Sequence, residues 1–112
     1  MDVEISRLDD IELVVLRGRL DASTAGHVYE SLSTLLVRPS PRVLVCLADL
    51  HSISSAGLRV ILVLAKKVQG AGGRLALCEL SAASQPVLEM TGMLEFLPVF
   101  VGRADAMLHL TD

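Results

Sequence analysis

Residues 43–73 read VLVCLADLHSISSAGLRVILVLAKKVQGAGG, and their first five, Val43-Leu44-Val45-Cys46-Leu47, are apolar without interruption. A strand that is wet on one face alternates apolar with polar residues, so an unbroken run predicts a central strand covered on both faces. After a serine-rich turn the periodicity changes. Leu58, Ile61, Leu62, Ala65 and Val68 recur at helical spacing, with Lys66, Lys67 and Gln69 on the wet side. Gly70 to Gly73 stops that helix, and Leu75-Ala76-Leu77-Cys78 is a second buried strand. Strand, helix and strand in one sheet require a crossover, which joins parallel strands with a right-handed turn.

Working outward, Asp2 to Arg7 alternates polar and apolar residues, and Ile11 to Leu16 is a denser apolar strand. With Asp9-Asp10 as the turn, the two predict an antiparallel hairpin. Gly18-Arg19-Leu20-Asp21 leads into a helical stripe of Val28, Leu32, Leu35 and Leu36, which Arg38-Pro39-Ser40-Pro41 ends. Beyond Cys78, Ser84-Gln85-Pro86-Val87 reads as a helix start with Ser84 as N-cap, closed at Gly92. Val99-Phe100-Val101 predicts a last strand and Ala104 to Leu110 a last helix. The expected fold is therefore α/β. Residues 1–112 form one domain, a mostly parallel sheet of four to five strands with an N-terminal antiparallel hairpin and about four helices.

Composition narrows the function. Aromatic residues make up only 3% of the 112 residues, a poor match for stacking sites for bases or sugars. The formal net charge is −3 and no Lys/Arg block occurs, which argues against nucleic acid and anionic membranes as partners. The apolar stretch Leu58 to Ala65 contains Arg59 and is far shorter than the ~20 residues that span a bilayer. With no basic stretch preceding an apolar run at the N-terminus, the expected location is cytoplasmic. Cys46 and Cys78, each inside a strand-like run, read as buried free thiols rather than a disulfide or redox pair.

In a sheet of this kind, functional groups collect outside the carboxyl ends of the strands. Asp21, Ser23 and Thr24 follow the second strand. Asp49, His51, Ser52, Ser54 and Ser55 follow the third, and Glu79 and Ser81 the fourth. These residues are expected to share one rim. No lysine-bearing phosphate loop is present, and no Gly-x-Gly-x-x-Gly opens a helix after a strand. His27, His51 and His109 lack companions at metal-ligand spacing, so neither a metal nor a cofactor is expected. A nucleophilic Ser55 would have only His51 nearby in sequence as a base and no oxyanion glycine pattern, so the chain is not expected to be an enzyme. Ser54 and Ser55 fall where the third strand's turn becomes the second crossover helix. A serine there serves as an ordinary N-cap. A second serine followed by Ala56 and Gly57 fits a flat rim on which another protein lies, despite the poor helix propensity of glycine. Val60, Val63 and Leu64 make the first half of this helix apolar nearly all round, which fits either burial on both sides or a partner-facing patch.

Asp49-Leu50 followed by Ile53-Ser54-Ser55-Ala56-Gly57-Leu58, behind the Val43 to Leu47 strand, resembles the signature of STAS-domain anti-sigma-factor antagonists. Gly18-Arg19-Leu20-Asp21 resembles the family's glycine-x-leucine-aspartate turn, and Thr91-Gly92-Met93 its threonine-glycine-leucine turn. The resemblance covers essentially the whole chain. It implies a phosphorylation-switched binding module. The unphosphorylated form binds an anti-sigma factor that is also a serine kinase of the histidine-kinase-like ATPase type, and so releases a sigma factor. A serine phosphatase restores the active form. The matching phosphoacceptor is Ser55, with Ser54 as the alternative, because Ser54 stands where an aspartate commonly precedes the modified serine. The implied binding rim comprises Asp21, Ser23, Asp49, Ser52, Ser54, Ala56, Gly57, Arg59 and Val60. Two other functions fit less closely: a STAS domain regulating another partner, such as a stress-signalling scaffold, and a nucleotide-binding protein.

Overall fold

The computed structural model describes residues 1–111. Strands β1 (Asp2–Leu8) and β2 (Ile11–Leu20) form the expected hairpin, in register from Asp2 opposite Arg17 to Leu8 opposite Ile11. Asp9, in the turn, takes the left-handed conformation that such a tight reversal favours. Strand β3 (Arg42–Cys46) lies parallel to β2, β5 (Arg74–Cys78) parallel to β3, and β6 (Val99–Phe100) parallel to β5. The order across the sheet is β1-β2-β3-β5-β6.

A sixth strand was not expected. Leu50–Ile53, read as part of a serine-rich turn, is β4, and it pairs in parallel with Gly18 to Leu20 at the far end of β2. Its two outer residues, Leu50 and Ile53, are buried, while His51 is exposed and Ser52 half-buried. The strand exists because β2 runs four residues beyond Leu16, to Leu20, and leaves backbone groups there to be satisfied.

Residues along β2 alternate between two cores, as the two-residue period of a strand requires. Val14 and Leu16 face a layer formed by α1 (Ala25–Ser33), α2 (Ser55–Gly70) and α3 (Ser84–Met90), with Val28, Leu32, Leu58, Ile61 and Leu88 interdigitating. Leu13 and Val15 face the opposite side, where α4 (Arg103–Thr111) lays Ala106 and Leu110 over Leu44, Cys46, Ala76 and Cys78. Among the described residues no helix is long and apolar enough to cross a membrane.

The start of α3 corrects one expectation. Ser84 is not the exposed N-cap but a fully buried residue. Its hydroxyl accepts from the Ser81 N–H at 2.9 Å, while the Ser81 hydroxyl accepts from the Ser84 N–H at 3.1 Å. Ala83 occupies the N-cap position without a side-chain hydrogen bond, and Ser81 and Ser84, three positions apart, bond each other reciprocally across the helix start.

Candidate functional site

Helix α2 begins where β4 ends. Ser54 has extended backbone angles and acts as its N-cap, its hydroxyl accepting from the Gly57 N–H at 3.4 Å. The Ser54 N–H donates to the Leu20 carbonyl at 2.9 Å, which brings the α2 start against the end of β2 and the residue that follows it, Asp21. Ser55 is then the first helical residue and is exposed. The N–H groups of the first helical turn have no acceptor within the helix, and no acidic side chain occupies this turn of α2. The site favours added negative charge on both counts.

Gly57 corrects the rim as read from sequence. It is buried, not part of a flat exposed surface. A Cβ there would lie 2.6 Å from Leu20 Cγ and 2.6 Å from the Leu20 carbonyl oxygen. The residue is glycine so that α2 can touch β2, and it positions the rim from beneath.

Ser55 opens into a groove of about 510 Å³ between α1 and α2, lined by Tyr29, Ser55, Ala56, Arg59, Val60 and Val63. Arg59 is exposed one helical turn beyond Ser55, and Ala56 and Val60 are half-buried along the floor. Leu64, grouped with Val60 and Val63 in the sequence, is instead buried in the core. Tyr29 was not anticipated. The sole signal for it is its place next to core-facing Val28, at the edge of the α1 stripe. Lys67 donates a hydrogen bond to the Tyr29 hydroxyl and lies 4.9 Å from the ring centroid. That bond, above all, lowers the Tyr29 pKa and ties α1 to α2.

The acidic residues divide between two duties. Asp21 holds the start of α1: its carboxylate accepts from the Ser23 hydroxyl at 2.6 Å and the Ser23 N–H at 3.0 Å, while the Asp21 N–H donates to Thr24. The hydrogen bonds from Ser23 hold its pKa below the ordinary aspartate value. Asp49 is exposed, but it is not a free charge. It pairs with Arg17 at 3.3 Å, in a cluster where Arg17 also meets Glu4 at 2.9 Å and Asp2 at 3.5 Å. Neither Asp21, Ser23, Asp49 nor Ser52 lines the groove, so they flank the Ser55 site rather than form it. His51, exposed on β4, does not line it either.

Among the described residues one set of side chains has ligand atoms close enough for a metal: Cys46, Cys78 and Glu79, all within 4.8 Å of one another. The Glu79 carboxylate is already engaged by Arg103 at 3.0 Å, which opposes a cation there.

A family model of the STAS domain matches residues 2–106. The chain belongs to the STAS domain family. It is 33% identical over 106 residues, 95% of this chain and 91% of the other, to BtrV of Bordetella bronchiseptica, a protein designated an anti-sigma factor antagonist. It is 25% identical over 111 residues to the anti-sigma F factor antagonist of Paenibacillus polymyxa, with 98% of this chain and 95% of the other covered. Among solved structures it superimposes on a protein of Thermotoga maritima, likewise designated an anti-sigma factor antagonist, with a TM-score of 0.90 over 98% of this chain and 95% of that one. Identity there is 21%, so that likeness concerns the fold.

Proposed function

We propose that this STAS domain is an anti-sigma-factor antagonist switched by phosphorylation of Ser55. Unphosphorylated, it binds an anti-sigma factor that is also a serine kinase of the histidine-kinase-like ATPase type, and the sigma factor is released. A serine phosphatase reverses the modification. The protein acts by binding rather than catalysis, in the cytoplasm.

The observation that carries this reading is the position of Ser55: exposed, first in α2, and at the mouth of an apolar groove. The same geometry favours Ser55 over Ser54 as the phosphoacceptor. The Ser54 oxygen is half-buried and serves as the helix cap, so a phosphate on it would displace a structural hydrogen bond. On Ser55 a phosphate stays beside free N–H groups and leaves the fold intact. It adds about −1.5 to −2 charges to the groove mouth. A partner covering that mouth would have to desolvate an unpaired dianion, which is costly.

The test is to recover the protein from its native host with and without phosphatase treatment, map phosphate by mass spectrometry and identify co-purifying proteins. The proposal expects phosphate on Ser55 and capture of an ATPase-type kinase by the dephosphorylated form alone. Phosphate confined to Ser54, or equal capture by both forms, would overturn it.

A further inference from the structure

Away from the groove, on the α4 side of the sheet, Cys46 and Cys78 are opposite one another in the parallel β3–β5 register. Their sulfur atoms are 3.2 Å apart, and both residues are fully buried as free thiols. The two positions are 32 residues apart in sequence, and only the strand register brings them together. They end their strands, so the rim begins one residue beyond. There Glu79, held in the left-handed conformation, brings its carboxylate within 4.8 Å of both sulfurs, and Arg103 at the start of α4 closes over it at 3.0 Å. The Glu79 and Arg103 side chains are 32% and 44% exposed. The thiols therefore lie at the end of the α4-side core, with the half-exposed Glu79–Arg103 ion pair at its edge.

We propose that Cys46 and Cys78 are a redox-active dithiol that hydrogen peroxide converts to a cross-strand disulfide between β3 and β5. The two sulfurs share one hydrogen bond, which either can donate, so the geometry makes either one the nucleophile. The thiolate of one attacks an oxygen of hydrogen peroxide: an S–O bond forms, the O–O bond breaks, and the departing hydroxide takes a proton and leaves as water. The other sulfur then attacks that sulfenic acid: the S–S bond forms, the S–O bond breaks, and the hydroxyl leaves as a second water with the remaining thiol proton. Two thiols have lost two electrons and two protons, and the peroxide has become two waters. The link fixes β3 to β5 just before the segment that leads through β4 to Ser55.

The experiment treats the folded full chain with hydrogen peroxide, quenches, and measures intact mass and thiol content after unfolding. The expected product has lost the mass of two hydrogens, carries no alkylatable thiol, and yields one peptide pair joined through Cys46 and Cys78; a thiol reductant restores both thiols. In Cys78→Ala, the sulfenic acid persists on Cys46 and is trapped by dimedone. Two thiols that remain alkylatable under peroxide that fully oxidises free cysteine would overturn the proposal. So would a disulfide that forms only in urea.

Discussion

Replacing Gly57 by alanine adds one methyl group where α2 touches β2. That carbon would sit 2.6 Å from Leu20 Cγ, 2.6 Å from the Leu20 carbonyl oxygen and 3.1 Å from the Leu20 carbonyl carbon. Comfortable carbon–carbon contacts are about 3.5–4.0 Å, so something must move by roughly 1 Å. Leu20 is fully buried and has little room to swing aside. Its carbonyl is fixed by the strand and by the Ser54 N–H. The cost of such overpacking is about 1–3 kcal/mol. If α2 tilts away to relieve it, the stretched Ser54–Leu20 hydrogen bond costs about 1 kcal/mol more. Against this stands the better helix propensity of alanine, at most about 1 kcal/mol. The expected net loss is about 1–3 kcal/mol, read as a lower urea midpoint at unchanged slope. Gly70→Ala is the control. It lies at the other end of the same helix with nothing within 4 Å of its would-be Cβ, so it should be neutral or stabilising by up to about 1 kcal/mol. A Gly57→Ala protein as stable as the wild type would refute the close-packing argument and return Gly57 to the exposed rim.

Two further outcomes follow from the same helix starts. Ser54→Ala removes the α2 cap and should cost about 1 kcal/mol in urea unfolding, while mass spectrometry after reaction with the cognate kinase should still find phosphate on Ser55. Asp21 has a folded-state pKa below its unfolded one, so its contribution to stability is full above the ordinary aspartate range and is lost as pH falls through the folded value. Asp21→Asn should therefore flatten part of the stability loss as pH falls through and below the ordinary aspartate range, and NMR titration of the wild-type carboxyl should show a midpoint below the ordinary aspartate value.

Elements whose side chains alone determine them were legible in the sequence. The Val43 to Leu47 run, the Leu58 to Val68 stripe and the Gly70 to Gly73 stop were enough to place β3, α2 and the crossover to β5. The placement of Ser55 at the start of α2 followed from them. Strand β4 was not legible, because His51 and Ser52 are polar and its pairing depends on how far β2 extends. Leu50 and Ile53, both buried, were its only local signal. Gly57 was noticed for its poor helix propensity but misassigned to the surface, since the Leu20 contact exists only once β2 and α2 are assembled. The same holds for Asp49, whose charge is matched by Arg17 from the neighbouring strand β2. The sulfur contact of Cys46 with Cys78 likewise needed the β3–β5 register.

The central claim is that charge at Ser55, and not damage to the helix start, governs partner binding. The most direct measurement is calorimetric titration of the purified cognate anti-sigma kinase with Ser55→Ala and Ser55→Asp, alongside urea unfolding of each. Both substitutions lie at an exposed first-turn position, so both should unfold within about 0.5 kcal/mol of the wild type. Ser55→Ala should bind as the unphosphorylated protein does. Ser55→Asp should bind at least about tenfold more weakly, or ~1.4 kcal/mol, because its carboxylate must lose water under the partner. Equal affinity of the two variants, at equal stability, would contradict the account.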